Sequence, residues 1–150
     1  TTLQTNQGDF TLYGRADRID QTPDGTAIID YKSGGSFTKK GLENGDTPQL
    51  PLEALIVQSG GFEDIPPTPC SYLGYWVLNG GDKHTENYEP HDILIDTNAA
   101  LITLIETFEN EETPYFSIPR ANKIPRFNDY EHLARIKEWA ALDEAEGEAA

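Results

Sequence analysis

A mixed β-sheet flanked by helices, in a single α/β domain, is the architecture this sequence predicts, and three observations predict it. The β-branched run Ala27-Ile28-Ile29 follows the turn sequence Pro23-Asp24-Gly25 and reads as the return strand of a hairpin. A second β-prone stretch, Ser71 to Leu78, carries Tyr72, Leu73, Tyr75, Trp76 and Val77 and stops at Asn79-Gly80-Gly81. Helical signals lie between and after these strands, so the chain alternates the two kinds of element.

Taken in order, Phe10 to Ile19 and Thr26 to Tyr31 are the two hairpin strands. Ser33 to Gly45, rich in glycine, serine and lysine, has no apolar periodicity and predicts a mobile loop. Asp46-Thr47-Pro48 is a helix start, with Thr47 as cap and Pro48 in the first helical position; the helix runs over Gln49 to Gln58 and Gly60-Gly61 ends it. A proline-rich loop, Ile65 to Pro69, precedes the strand at Ser71 to Leu78, which reads as central, with His84 to Tyr88 returning beside it. From Thr97, Leu101, Leu104, Ile105 and Phe108 recur at helical spacing and predict an amphipathic helix that Pro114 terminates. A last helix from about Asn128 carries Leu133, Ile136 and Ala140 on one face. The domain is expected to span residues 1–142, followed by an acidic disordered tail at 143–150.

The 150 residues, 37% of them hydrophobic, suit one compact domain. Against 11 basic side chains stand 26 acidic ones, a net charge of -15 that repels a phosphate backbone. Removing the tail acids Asp143, Glu144, Glu146 and Glu148 leaves 22 against 11, or -11, so the body itself is acidic. A lone Cys70 excludes an internal disulfide and fits a small buried hydrophobe in a reduced, cytoplasmic protein. No apolar run is long enough for a membrane span, and the start has no signal-peptide pattern. With no methionine and strand-like chemistry at Thr1-Thr2-Leu3-Gln4, the sequence reads as a piece of a longer polypeptide.

The stretch that carries chemistry is Gly14-Arg15-Ala16-Asp17 followed by Ile29-Asp30-Tyr31-Lys32. Side chains alternate faces along a strand, so Asp30 and Lys32 share a side while Tyr31 points away, and the hairpin partner sets Asp17 opposite them. Two carboxylates and one ammonium then converge. Paired carboxylates suit a hard divalent ion, and Mg2+ takes one or two of them while keeping waters and substrate phosphates as its other ligands. Phosphodiester hydrolysis uses such an ion to activate water and neutralise developing charge. A neighbouring lysine orients or helps deprotonate that water and stabilises charge on phosphorus. Gln49 and Glu53 stand at i and i+4 near a helix N-terminus, the end that favours phosphate.

These residues resemble the PD-(D/E)xK nucleases of the RecB and AddB type, which show a Gly-x-x-Asp strand, an Asp-Tyr-Lys-Ser/Thr strand and a downstream helix beginning with glutamine. The matching positions are Gly14 to Asp17, Asp30-Tyr31-Lys32-Ser33-Gly34 and Gln49-Leu50-Pro51-Leu52-Glu53-Ala54. The run from Pro125 to Arg135 is similar to the end of alphaproteobacterial AddB double-strand break repair proteins. The resemblance implies a restriction-endonuclease-like core that cleaves DNA with Mg2+ or Mn2+. It also implies a helicase-nuclease that processes double-strand breaks for recombination beside an AddA-like partner subunit. Carried over residue by residue, Asp17 and Asp30 bind the metal with the Tyr31 backbone carbonyl, Lys32 is the catalytic lysine, and Gln49 contacts DNA or the active site. The sequence departs from the pattern in three places. Many relatives have tyrosine where this chain has Glu53, which either extends the carboxylate cluster or sits in solvent. Relatives commonly carry four cysteines for an iron-sulfur cluster; Cys70 alone cannot supply one, so no such cluster is expected here. The preceding helix that in the family adds a histidine or an acidic residue to the site is missing before Thr1.

Arg18 and Asp20 read as a surface ion pair. Lys39 and Lys40 either hold a DNA phosphate or are simply solvated, and Arg120, Lys123 and Arg126 form a second candidate phosphate track or merely offset the acidic body. His84, His91 and His132 are scattered and carry no catalytic assignment. Two other readings compete. A non-catalytic module that binds a DNA end or a partner would tolerate loss of Asp17, Asp30 or Lys32, all of which are intact. A Cas4-like exonuclease is disfavoured by the missing cysteines.

Overall fold

The computed structural model describes residues 1–35, 37–78, 84–88 and 90–115. The chain divides into two compact units, Thr1–Asn110 and Glu111–Ala150. In the first, the elements run β1 (Thr2–Thr5), β2 (Gly8–Thr11), β3 (Arg18–Thr22), β4 (Gly25–Lys32), α1 (Lys39–Glu43), α2 (Gln49–Gln58), β5 (Cys70–Val77), β6 (His84–Tyr88) and α3 (Pro90–Glu109). Of the second, the described residues 111–115 form no helix or strand.

The main sheet has the order β3-β4-β5-β6. Its β4–β5 pair is parallel and the other two pairs are antiparallel, so the expected mixed sheet flanked by helices is observed, with β5 inside it. A parallel pair cannot be joined by a tight turn, and here α1 and α2 lie in the crossover between β4 and β5. Gly25 opens β4 at φ +135, where a side chain is strained, and a Cβ there would lie 2.4 Å from the Pro69 carbonyl oxygen. Thr26 N–H donates to that same oxygen at 2.9 Å, so only glycine lets the two segments meet so closely.

Alternation along β4 then sorts its side chains. Ile28 joins Leu73 and Tyr75 of β5, Leu50, Ala54 and Val57 of α2, and Ile93 and Leu94 of α3 in one buried cluster. Asp30 projects to the same face as Ile28, while Tyr31 lies on the other with Arg18 and Trp76.

Several expectations need correction. Phe10 to Ile19 is not one strand: β2 ends at Thr11, β3 begins at Arg18, and β2 pairs with β1 in a separate two-stranded sheet. That hairpin is largely exposed and is tied to the end of α3, where the Thr5 hydroxyl donates to the Glu109 carboxylate at 2.8 Å and Gln7 Nε2 to the Glu109 carbonyl at 2.8 Å. Polar cross-links of this kind leave no apolar alternation to read.

Within the stretch expected to be a mobile loop, residues 39–43 are helical. Thr38 Oγ1 accepts the Gly41 N–H at 3.1 Å as a cap, and Leu42, 1% exposed, anchors the turn in the core. A single apolar residue has no period. At α2, Pro48 has helical dihedrals and its carbonyl accepts from Leu52 N at 3.0 Å, but the Thr47 hydroxyl caps nothing: it is buried without a hydrogen-bond partner.

The helix expected from Thr97 starts at Pro90, with proline in its first position and Asp92 in its first turn. Of the predicted stripe only Ile105 is fully buried; Leu104 and Phe108 are exposed, and Ile93 and Leu94 carry the packing instead. No helix among the described residues is long and apolar enough to cross a membrane. The helix expected from Asn128 with Leu133, Ile136 and Ala140, the run 125–135, the tail 143–150, and Arg120, Lys123, Arg126 and His132 lie outside the described residues.

Candidate active site

The C-terminal end of β4 and the first turn of α2 build the site. β4 delivers Asp30 and Lys32 on one face, and Lys32 Nζ lies 2.7 Å from Asp30 Oδ2. The parallel neighbour β5 sets Tyr75 beside Asp30, and the Lys32 ammonium stands 5.7 Å from the centre of its ring. α2 then places Gln49 across both: its Nε2 donates to Asp30 Oδ1 at 2.6 Å and to Glu53 Oε1 at 3.1 Å, while its Oε1 accepts from Lys32 Nζ at 2.9 Å. One amide therefore links two carboxylates and the ammonium.

Asp17 reaches the group by another route. It lies just before β3 rather than on a strand, a correction to the expected placing, and it is exposed. Its Oδ2 nonetheless accepts the backbone N–H of Tyr31 at 3.0 Å, which fixes it beside the residue between Asp30 and Lys32. Gly14 helps set this approach, since a Cβ there would meet Ile56 Cδ1 at 3.2 Å.

Burial makes the cluster energetically unusual. Asp30 is 1% exposed and Glu53 4%, so the reading of Glu53 as a solvated residue is overturned. Burial, with Asp30 and then Asp17 adding repulsion, pushes the Glu53 carboxyl up to about 7, against the opposing pull of Gln49 and Lys32. Glu53 Oε2 has no hydrogen-bond partner, and Asp30 Oδ2 meets Lys32 only as an ion pair without hydrogen-bond geometry. Buried carboxylate oxygens left open in this way are what a hard divalent cation takes, so the donor set fits Mg2+ or Mn2+, with Asp17, Asp30 and the Tyr31 carbonyl as the candidate holders. Among the described residues no three His, Cys, Asp or Glu side chains gather around one point at metal-holding separation.

The other expected residues fare differently. Lys39 is exposed and pairs with Glu43 at 3.8 Å on α1, and Lys40 is exposed on the same helix. Arg18 and Asp20 form the surface ion pair expected of them, at 2.8 Å. Cys70 packs against the core and burial pushes its thiol up to about 11, so it is a hydrophobe in practice. Sequence reasoning missed Tyr75, 1% exposed and pushed up to about 12 by burial, whose hydroxyl donates to the Thr47 carbonyl at 3.4 Å. The available signal was its position in a second strand on the Asp30 face, readable only once the β4–β5 register is known.

The PD-(D/E)XK nuclease superfamily profile matches residues 2–138. An uncharacterized protein of Rickettsia bellii is 25% identical over 142 residues, 83% of this chain and 17% of its own length. Uncharacterized proteins of Rickettsia conorii and Rickettsia felis are 39% identical over 66 residues and 42% over 55, covering 43% and 36% of this chain. The chain spans only 6% to 17% of the length of these relatives. No solved structure matches it. Superfamily members are generally metal-dependent nucleases that use Mg2+ or Mn2+. With a profile match across nearly the whole sequence, a mixed sheet and a clustered Asp30, Lys32 and Gln49, the chain belongs to the PD-(D/E)XK nuclease superfamily.

Proposed function

We propose that this chain is the Mg2+- or Mn2+-dependent deoxyribonuclease module of a RecB- or AddB-type helicase-nuclease that processes double-strand breaks, working beside an AddA-like subunit. The observation that carries the reading is the Gln49 amide bridging Asp30, Lys32 and Glu53 at the end of β4. Asp17, Asp30 and the Tyr31 carbonyl would hold a divalent cation, which would supply the charge that activates water and neutralises the scissile phosphate. Lys32 holds its ammonium in place through Asp30 and Gln49, so that it orients the attacking water and offsets charge growing on the phosphoryl oxygens. Gln49, in the first turn of α2, sits where free backbone N–H groups and the helix dipole favour a phosphate.

The net charge of -15 opposes a polyanion, so the basic surface that retains DNA belongs mainly to the parent polypeptide or its partner. Lys39 and Lys40, and in the same role Arg120, Lys123 and Arg126, are the local candidates for phosphate contact. This predicts that the chain alone cuts linear DNA slowly even at low salt, beside a fast full complex. The deciding experiment is cleavage and gel shift with the parent protein carrying Asp17→Ala, Asp30→Ala or Lys32→Ala. Loss of cutting with retained DNA binding is expected in all three, and undiminished cutting by any one removes that residue from the mechanism.

A further inference from the structure

Residues 12–16, between β2 and β3, are neither helix nor strand, yet the backbone around them is pinned at three points. Leu12 exchanges two hydrogen bonds with Thr1, its N–H donating to the Thr1 carbonyl at 2.8 Å and its carbonyl accepting from the Thr1 nitrogen at 2.7 Å. Gly14 seats against Ile56 of α2, where a Cβ would lie 3.2 Å from Cδ1, and Asp17 accepts the Tyr31 N–H. Between these anchors stand Tyr13, 87% exposed, and Arg15, also exposed. Tyr13 therefore adds nothing to the core, and its ring is held in water on a fixed backbone. Free cations are scarce nearby. Lys32 is engaged by Asp30 and Gln49, and Arg18 by Asp20, whereas Arg15 has no hydrogen-bond or ion-pair partner among the described residues. Arg15 is two residues from Asp17, no more than about 7 Å along the backbone, and Tyr13 is four residues away, within about 14 Å.

We propose that Tyr13 and Arg15 form a nucleotide grip at the edge of the site, Tyr13 stacking one base and Arg15 holding a phosphate next to the scissile one. An unpaired guanidinium takes a phosphate through two parallel N–H donors, and an exposed ring stacks a base whatever its identity. Stacking needs a base with an uncovered face, so the grip takes a terminal, unpaired or displaced nucleotide. Neither side chain meets the reacting atoms, so both act on binding rather than on the chemical step. The proposal rests on the nuclease reading for the identity of the strand, and it concerns two residues that play no part in holding the cation.

Steady-state cleavage of a short single-stranded DNA by the parent protein in Mn2+ tests it, with circular dichroism reporting the fold of each variant. Tyr13→Ala and Arg15→Gln are each expected to raise KM about tenfold with kcat within about twofold of wild type, and Tyr13→Phe to restore the wild-type KM. An abasic nucleotide moved along the strand should equalise the KM of wild type and Tyr13→Ala at one position. A neutral methylphosphonate moved in the same way should equalise wild type and Arg15→Gln at one linkage. Unchanged KM in either folded variant, or a defect that persists at every abasic position and every neutral linkage, overturns the proposal. If the wild type cuts nothing, the nuclease reading fails by itself. The grip is then judged by fluorescence anisotropy of the same strand, where tenfold weaker binding by both variants upholds it and equal or absent binding removes it.

Discussion

The β3–β4 hairpin carries an acid–base ion pair on each of its two faces, Arg18–Asp20 on β3 and Lys32–Asp30 on β4, and the two are alike in length and unlike in everything else. On one face Arg18 and Asp20 lie 2.8 Å apart with side chains 43% and 38% exposed. On the other Lys32 and Asp30 lie 2.7 Å apart, but Asp30 is 2% exposed in its side chain. Water screens the first pair, and among the described residues its members are held by each other, by the Tyr31 hydroxyl at 3.1 Å and by the Trp76 ring 5.4 Å from the guanidinium. Asp20 is drawn below the usual carboxylate range by its hydrogen bond to Arg18, a local effect with nothing further attached. The second pair is embedded in Gln49, Glu53 and Tyr75, so every charge there changes the environment of the next. Separation does not distinguish a working ion pair from an ornamental one; desolvation and shared partners do.

The largest expected contrast is catalytic. Lys32→Ala in the parent protein should lower DNA cleavage on the order of 10²–10³-fold, the usual cost of removing one preorganised donor. Arg18→Ala should leave the rate unchanged. A comparable loss from Arg18→Ala would erase the distinction between the faces.

A second contrast is in pH. The Glu53 carboxyl rises from its ordinary 4.5 to about 7 in the folded chain. An acid whose folded value is raised makes folding less favourable as pH climbs: its contribution is full below about 4.5 and is lost as pH passes about 7. At about 1.4 kcal/mol for each tenfold change in proton affinity, the loss approaches about 3 kcal/mol. Glu53→Gln should therefore be more stable than wild type by up to that amount at pH 8 in chelator, and equal to it at pH 4. Urea melts at the two pH values measure it, and an equal difference at both would mean that Glu53 is not buried as a charge.

The smallest expected effect belongs to the exposed pair. Arg18→Ala and Asp20→Ala should leave the urea midpoint unchanged within error at 0.5 M salt, where screening is nearly complete. A clear midpoint drop there would show that the Tyr31 and Trp76 contacts bind the guanidinium more firmly than its exposure suggests.

Much of the site was legible because it depends on short-range periodicity. Two-residue alternation put Asp30 and Lys32 together, and helical spacing put Gln49 and Glu53 together. What was not legible depends on distant partners. The burial of Glu53 follows from α2 lying on β4 and β5, and Tyr75 enters the site through the parallel register. In the fold, β4, β5 and α2 announce themselves by apolar content. α1 and the β1–β2 hairpin are held by a Thr38 cap and by Glu109, and such polar contacts leave only faint traces in a pattern of hydrophobicity. The early start of α3 did have a signal, Pro90 with Asp92 two residues on, outweighed in reading by the stripe from Thr97.

Anomalous diffraction from crystals of this chain grown with Mn2+ would locate the cation at the end of β4. A peak is expected within ligating distance of both the Asp17 and Asp30 carboxylates and of the Tyr31 carbonyl. Density at neither carboxylate, or at Asp20 on the opposite face, would contradict it.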